Sequence, residues 1–93
     1  MKLTVDWARI NSVEAFYDYL LPILDAPKWH GRNLDALHDS VVNAGIYQSG
    51  PPFYIKHINS SKRLATIGEF QLAVIAIFAS SIIENGGEQI IQD

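Results

Sequence analysis

Residues 2–8 alternate, with Leu3, Val5 and Trp7 on one side and Lys2, Thr4 and Asp6 on the other. A period of two predicts a strand with one face on a core. The period then lengthens. Val13, Phe16, Leu20 and Leu24 recur at helical spacing behind Ser12, a natural N-cap, and Glu14 sits in the first turn, where the helix dipole favours an acid. Pro22 lacks an N–H and its ring crowds the preceding turn, which predicts a kink or an early end near Leu21. A connector begins at Pro27, and Gly31 gives it conformational freedom. Asn33 caps a second helix with Leu34, Leu37, Val41 and Ala44 facing inward, Asp35, Asp39 and Val42 facing outward, and Gly45 as its C-cap. Ser49-Gly50-Pro51-Pro52 breaks the chain, and Phe53–Ile58, aromatic and β-branched, reads as a second strand. Asn59–Thr66 is polar, with room for a short helix. Gly68–Glu84 reads as a long helix ended by Asn85-Gly86-Gly87, and Glu88–Gln92 as a short last strand.

Strands separated by helices pair in parallel through crossovers. The expected fold is α/β: a three-stranded parallel sheet packed against about three to four helices, in one domain spanning residues 1–93. A hydrophobic content of 48% is ample for a core. The chain has no cysteine, which excludes disulfides, zinc–thiolate sites and a cysteine nucleophile. Met1–Asp6 does not read as a signal peptide, and no run of eighteen apolar residues is evident, so a cytoplasmic location without membrane contact is the expectation. A net charge of −3 argues against direct binding of nucleic acid. Every Lys and Arg falls at or before Arg63, and the only later charges are Glu69, Glu84, Glu88 and Asp93. That asymmetry favours a basic partner.

Asp35 and Asp39 carry the sharpest chemistry. Four residues apart, they share one helix face, where like charges cost roughly 0.2–0.5 kcal/mol. Asp35 serves the helix dipole and Asp39 is an ordinary solvated charge on one reading. On the other, the pair meets something positive, flanked by Val42 on the same face, Trp29 upstream and His38 at the edge. Trp29 fits a binding anchor and a lid over the core equally well. A metal site built on Asp35, His38 and Asp39 lacks a further ligand. His57 lies mid-strand with no nucleophile near it in sequence, Ser60–Arg63 reads as a solvated loop, and the glycines never fall in phosphate-loop spacing. No catalytic residue, metal or cofactor is expected. Phe70–Ile83 carries no charge. Val74, Ile75, Ile77 and Phe78 suffice for a core, which leaves Leu72, Ala73, Ala76 and Ala79 as a patch for a second copy, hence a homodimer.

The segment Pro27-Lys28-Trp29-His30-Gly31-Arg32-Asn33-Leu34-Asp35-Ala36-Leu37-His38-Asp39 resembles the signature of the barstar family, intracellular inhibitors of the ribonuclease barnase. That pattern is an aromatic, a Gly two residues on, then Asn, an apolar residue, Asp-Ala-Leu, any residue and Asp. The resemblance implies that this helix and its connector plug a ribonuclease active site. Asp39 then takes the place of an RNA phosphate, Asp35 meets a second basic group, and Trp29 packs over the catalytic histidine region. The implied contact set is Trp29, His30, Gly31, Asn33, Asp35, Ala36, His38, Asp39, Val42, Asn43 and Glu84. The chain departs from the family at His38, where a Trp stands, and at Asn43 and Ala44, which replace a Gly–aromatic pair. Its 46–52 loop is longer, and Ser80 stands where an acid lies. The implied partner is a different small ribonuclease, or the ribonuclease toxin of an interbacterial system for which this chain is the immunity protein. The alternative is a self-associating module that binds a non-nuclease partner through its last helix.

Overall fold

The computed structural model describes residues 1–43 and 50–93. Ala44, Gly45 and the 46–49 part of the predicted longer loop lie outside the described residues.

Strand β1, Lys2–Asp6, buries Leu3 and Val5 and exposes Lys2 and Thr4. Trp7 keeps the inward phase at 0% exposure, but Trp7–Arg9 turns as a 3-10 helix where the sequence predicts strand to residue 8. The cause is local: the Asp6 carboxylate accepts from the Ala8 N–H and stops the extended run.

Helix α1, Val13–Ile23, is capped as predicted, with Ser12 Oγ accepting from the Ala15 N–H at 3.0 Å. It buries Phe16, Tyr17, Leu20 and Leu21, and Leu24 follows them into the core. Val13 faces solvent instead. The helix also runs past Leu21 and through Pro22. Pro22 sits in the last turn, where only one bond is lost, and the Leu24 N–H still reaches the Leu20 carbonyl at 3.1 Å. Asp25 then adopts a left-handed conformation (φ 56°). Its N–H bonds Pro22 O, and the Ala26 N–H bonds Leu21 O, a Schellman ending with Asp in the usual glycine place.

Helix α2, Leu34–His38, is followed directly by a wide π-type turn, Asp39–Asn43. Strand β2, Phe53–Ile58, has the predicted bounds. Two 3-10 turns, Ser60–Lys62 and Ala65–Ile67, occupy the polar segment before helix α3, Gly68–Asn85, and strand β3, Gly87–Ile91. The described residues thus hold three α-helices, the low end of the predicted number, with short 3-10 turns in place of a fourth.

The sheet is parallel, in the order β1-β2-β3. Lys2 pairs with Tyr54 and Val5 with His57, while Phe53 pairs with Gly87 and His57 with Ile91. Gly87 is required there. Its φ is +112°, and a Cβ would stand 2.1 Å from the Phe53 carbonyl oxygen.

The inner sheet face, Leu3, Val5, Phe53 and Ile55, packs with Phe16, Leu20, Val74 and Phe78. Phe78 meets Phe53 edge-on at 5.5 Å, and Trp7 stacks on Phe16 at 5.7 Å. The outer face, with Lys2, Thr4, Tyr54, Lys56, Glu88 and Ile90, is open to solvent.

His57 is wholly buried and fully bonded. Its Nδ1 accepts from the Trp7 indole N–H at 3.0 Å, so its proton is on Nε2, which donates to Gln89 Oε1 at 2.7 Å. Gln89 Nε2 in turn donates to the Ile75 carbonyl at 3.1 Å. This relay ties β2 to β3 and α3. Burial pushes the His57 pKa down, with the Gln89 bond opposing.

Contrary to the sequence expectation, one stretch, Ala65–Asn85, has the length and mean hydropathy (1.8) of a membrane span. This is weak evidence for a membrane, because a core helix passes the same test, and here Val74 and Phe78 lie at 0% exposure against the sheet.

Candidate functional site

The signature segment is a braced connector leading into a short capped helix. Asn33 Oδ1 accepts from the Ala36 N–H at 2.8 Å and starts α2. Asp35, in the first turn, lies where the dipole favours a carboxylate. The Asp39 N–H bonds back to the Asp35 and Ala36 carbonyls, so the two acids are one turn apart in helical register. Asp35, His38 and Asp39 are all exposed. Leu37 anchors the opposite face at 0% exposure, and Leu34 packs against the core while half-buried.

Gly31 has a steric reason to be glycine. A Cβ there would stand 2.9 Å from Asn33 Nδ2 and 3.1 Å from Ala36 Cβ. Gly31 and Ala36 are thus the small pair that lets the connector lie on the first turn of α2, and both are half-buried. They shape the site from beneath.

His30 is 7% exposed, so most of its side chain lies inside, beneath the connector. Its Nδ1–H donates to the Gly31 carbonyl at 2.6 Å, and its Nε2 accepts from the buried Ser40 hydroxyl at 2.7 Å. It locks the connector to the turn after α2. With that fixed, Trp29 projects outward at 74% exposure, so it is no lid over the core. Arg32 braces the other side, bonding Glu14 at 2.9 Å and Asp18 at 2.7 Å on α1. The Asp18 hydrogen bond, with Glu14 assisting, raises the Arg32 pKa. No spacing in the sequence links residue 32 to α1, so only the fold reveals this brace.

The π-type turn corrects a second expectation. Its wider winding turns three successive side chains inward: Ser40, Val41 and Val42 are all buried. Val42, at 9% exposure, belongs to the core, whereas the 3.6-residue spacing predicts it beside Asp35 and Asp39. Asn43 remains exposed and donates from Nδ2 to Asp39 Oδ1 at 2.8 Å, leaving the other carboxylate oxygen of Asp39 outside that bond.

The last helix meets this turn. Ser81 Oγ donates to the Val41 carbonyl at 2.8 Å and Asn85 Nδ2 to the Val42 carbonyl at 2.9 Å. Glu84, exposed, lies between these two residues in sequence, at the end of α3 that holds the turn. The predicted self-association patch is uneven. Leu72 is 65% exposed and Ala76 is exposed, but Ala73 and Ala79 are half-buried. Ile83, at 83% exposure, extends the stripe and is missing from the sequence prediction. Ile75, predicted as core, is half-buried.

Among the described residues, no group of three or more His, Cys, Asp or Glu is arranged to hold a metal ion. Shallow depressions mark the described surface. One of about 300 Å³, lined by Pro22, Pro27, Lys28, His30 and Arg32, lies between the end of α1 and the connector. The arrangement presents two carboxylates and an indole on an exposed surface, suited to docking.

No match was found among curated proteins. A family model described as Barstar (barnase inhibitor) matches residues 1–82, which include the connector, α2, the whole sheet except β3, and most of α3. The chain belongs to the barstar family.

Proposed function

We propose that this protein inhibits a barnase-type ribonuclease by seating its acidic helix face in the nuclease active site. One observation carries the reading: Asp35 and Asp39 stand exposed, one turn apart, on a capped helix whose connector projects Trp29 at 74% exposure. A ribonuclease active site gathers cations to hold phosphate, and a carboxylate on a fixed mount substitutes for that phosphate through charge-assisted hydrogen bonds. The family is one of inhibitors, and the reading involves no chemistry and no cofactor. Its natural setting is the cytoplasm of a bacterium that makes, or is attacked by, a small ribonuclease toxin.

The direct test is RNA cleavage by a panel of small barnase-type ribonucleases, barnase included, in the presence of this protein. The native chain should abolish cleavage by at least one of them near equimolar ratio, and Asp39→Ala should weaken that inhibition by at least about 100-fold. Full cleavage by every member of the panel with the native chain present, or equal inhibition by Asp39→Ala, refutes the assignment.

A second reading has its own observation. Leu72 and Ile83 are 65% and 83% exposed, and with Ala76 and Ala79 they recur at spacings of four, three and four residues, a seam suited to another helix. On this reading the fold serves a self-associating module with a non-nuclease partner. Sedimentation equilibrium decides: a dimer that Ala76→Glu dissociates supports it, and a monomer at high micromolar concentration removes it.

A further inference from the structure

Helix α3 is uncharged from Phe70 to Ile83 and forms much of the core, yet it buries a serine at 0% exposure. Neighbouring serines on this helix behave differently. Ser80 Oγ bonds back to the Ala76 carbonyl of its own helix at 3.2 Å, the ordinary use of a helical serine. Ser81 instead reaches across to the Val41 carbonyl, and Asn85, one turn later, reaches the Val42 carbonyl. Both acceptors lie in the π-type turn that begins at Asp39 and ends at Asn43.

That turn needs outside support. The α-helix before it has five residues, too few to persist alone. The last carbonyls of a helical segment have no partner within it, and buried ones are costly unless something donates to them. From this geometry we infer that Ser81 and Asn85 are positioning residues for the acidic face: they hold the turn, and so fix where Asp39 and its partner Asn43 point. The inference rests on the ribonuclease reading for its functional consequence. Ser81 and Asn85 act through Val41 and Val42.

A positioning role has a kinetic signature. Long-range steering depends on charge, which the variants leave intact, so association should change little. A carboxylate on a loosened mount holds its partner less well, so dissociation should quicken. The test uses the full chain with, as probe, the small barnase-type ribonuclease of the panel above that it inhibits. In the free protein, Ser81→Ala/Asn85→Ala should speed amide-proton exchange across residues 39–43 by about tenfold or more, with β2 and α1 unchanged. With that nuclease, the same variant should dissociate about tenfold faster while associating within about twofold of the native rate. Asn85→Gln, which keeps the amide donor at an exposed position, should recover most of the loss caused by Asn85→Ala. Native exchange across 39–43 in the double variant overturns the inference. So does faster exchange with native dissociation, which leaves the ribonuclease reading standing. Failure of the unsubstituted chain to bind any nuclease of the panel overturns the reading itself, and the positioning role with it.

Discussion

At the scale of single residues, the proposed inhibitory face is simple and its supports are not. Asp39 has Asn43 on one carboxylate oxygen, whereas Asp35 sits in the first helical turn with no such neighbour among the described residues. Asp35→Ala should therefore weaken barnase binding, but by less than Asp39→Ala, as titration calorimetry or a kinetic assay would show. A reversed order would contradict the assignment of Asp39 as the phosphate substitute. In the core, Tyr17 illustrates a different rule. Its hydroxyl is buried with no hydrogen-bond partner among the described residues, and burial, with Glu14 adding to it, pushes its pKa up to about 12. Removing an unpaired buried hydroxyl lifts a desolvation cost. Tyr17→Phe should leave stability unchanged or raise it by up to about 1 kcal/mol in urea denaturation; a loss of more than that would reveal a hidden partner for the hydroxyl.

At the scale of elements, caps and close approaches determine what forms. Asn33→Ala removes the side-chain N-cap of a five-residue helix and should cost about 1 kcal/mol in urea denaturation. Gly87→Ala should cost more than about 2 kcal/mol, because a Cβ at φ +112° meets the Phe53 carbonyl at 2.1 Å. A variant of native stability would mean that β3 is not held at that register. These elements were legible because their signals are local: alternation for β1 and β2, Ser12 and Asn33 as caps, Gly86-Gly87 as the stop. Three features were not. Pro22 was legible as a disruption, but not that it falls where the helix had only one bond to lose. The π-type turn leaves no periodic trace, since its effect is to break the 3.6-residue period, and so Val42 was placed on the wrong face. His30 belongs to the signature, yet its burial follows from Ser40, ten residues away. In the candidate site, the exposed acids and Trp29 could be picked out from residue type and spacing. The brace of Arg32 on α1 and the clamp of Ser81 and Asn85 arise from long-range contacts that no spacing encodes.

At the scale of the molecule, helices and connector cover one sheet face and present the acids, while a buried histidine ties β2 to β3 and to the turn after β1. His57 is neutral in the fold, donating to Gln89 and accepting from Trp7, and its pKa lies below the ordinary 6.5. The folded state therefore binds fewer protons there than the unfolded chain. Its contribution is complete above pH 6.5 and declines as pH falls below that value, where the unfolded histidine takes up a proton first. Urea denaturation at pH 7.5 and pH 5.5 should show lower stability at the lower pH, with the difference reduced in His57→Gln; equal pH dependence in the two proteins would exclude His57 as the cause. Charge also acts across the whole surface. Association with a basic nuclease should slow as salt is raised, because screening shortens the reach of exposed carboxylates to about 10 Å at 0.1 M. The central claim is that the acidic face takes the place of RNA phosphate. Steady-state inhibition of barnase at rising concentrations of RNA tests it most directly: the apparent inhibition constant should climb in proportion to substrate, with the maximal rate unchanged. A constant that stays level while the maximal rate falls would place the contact away from the active site and contradict the account.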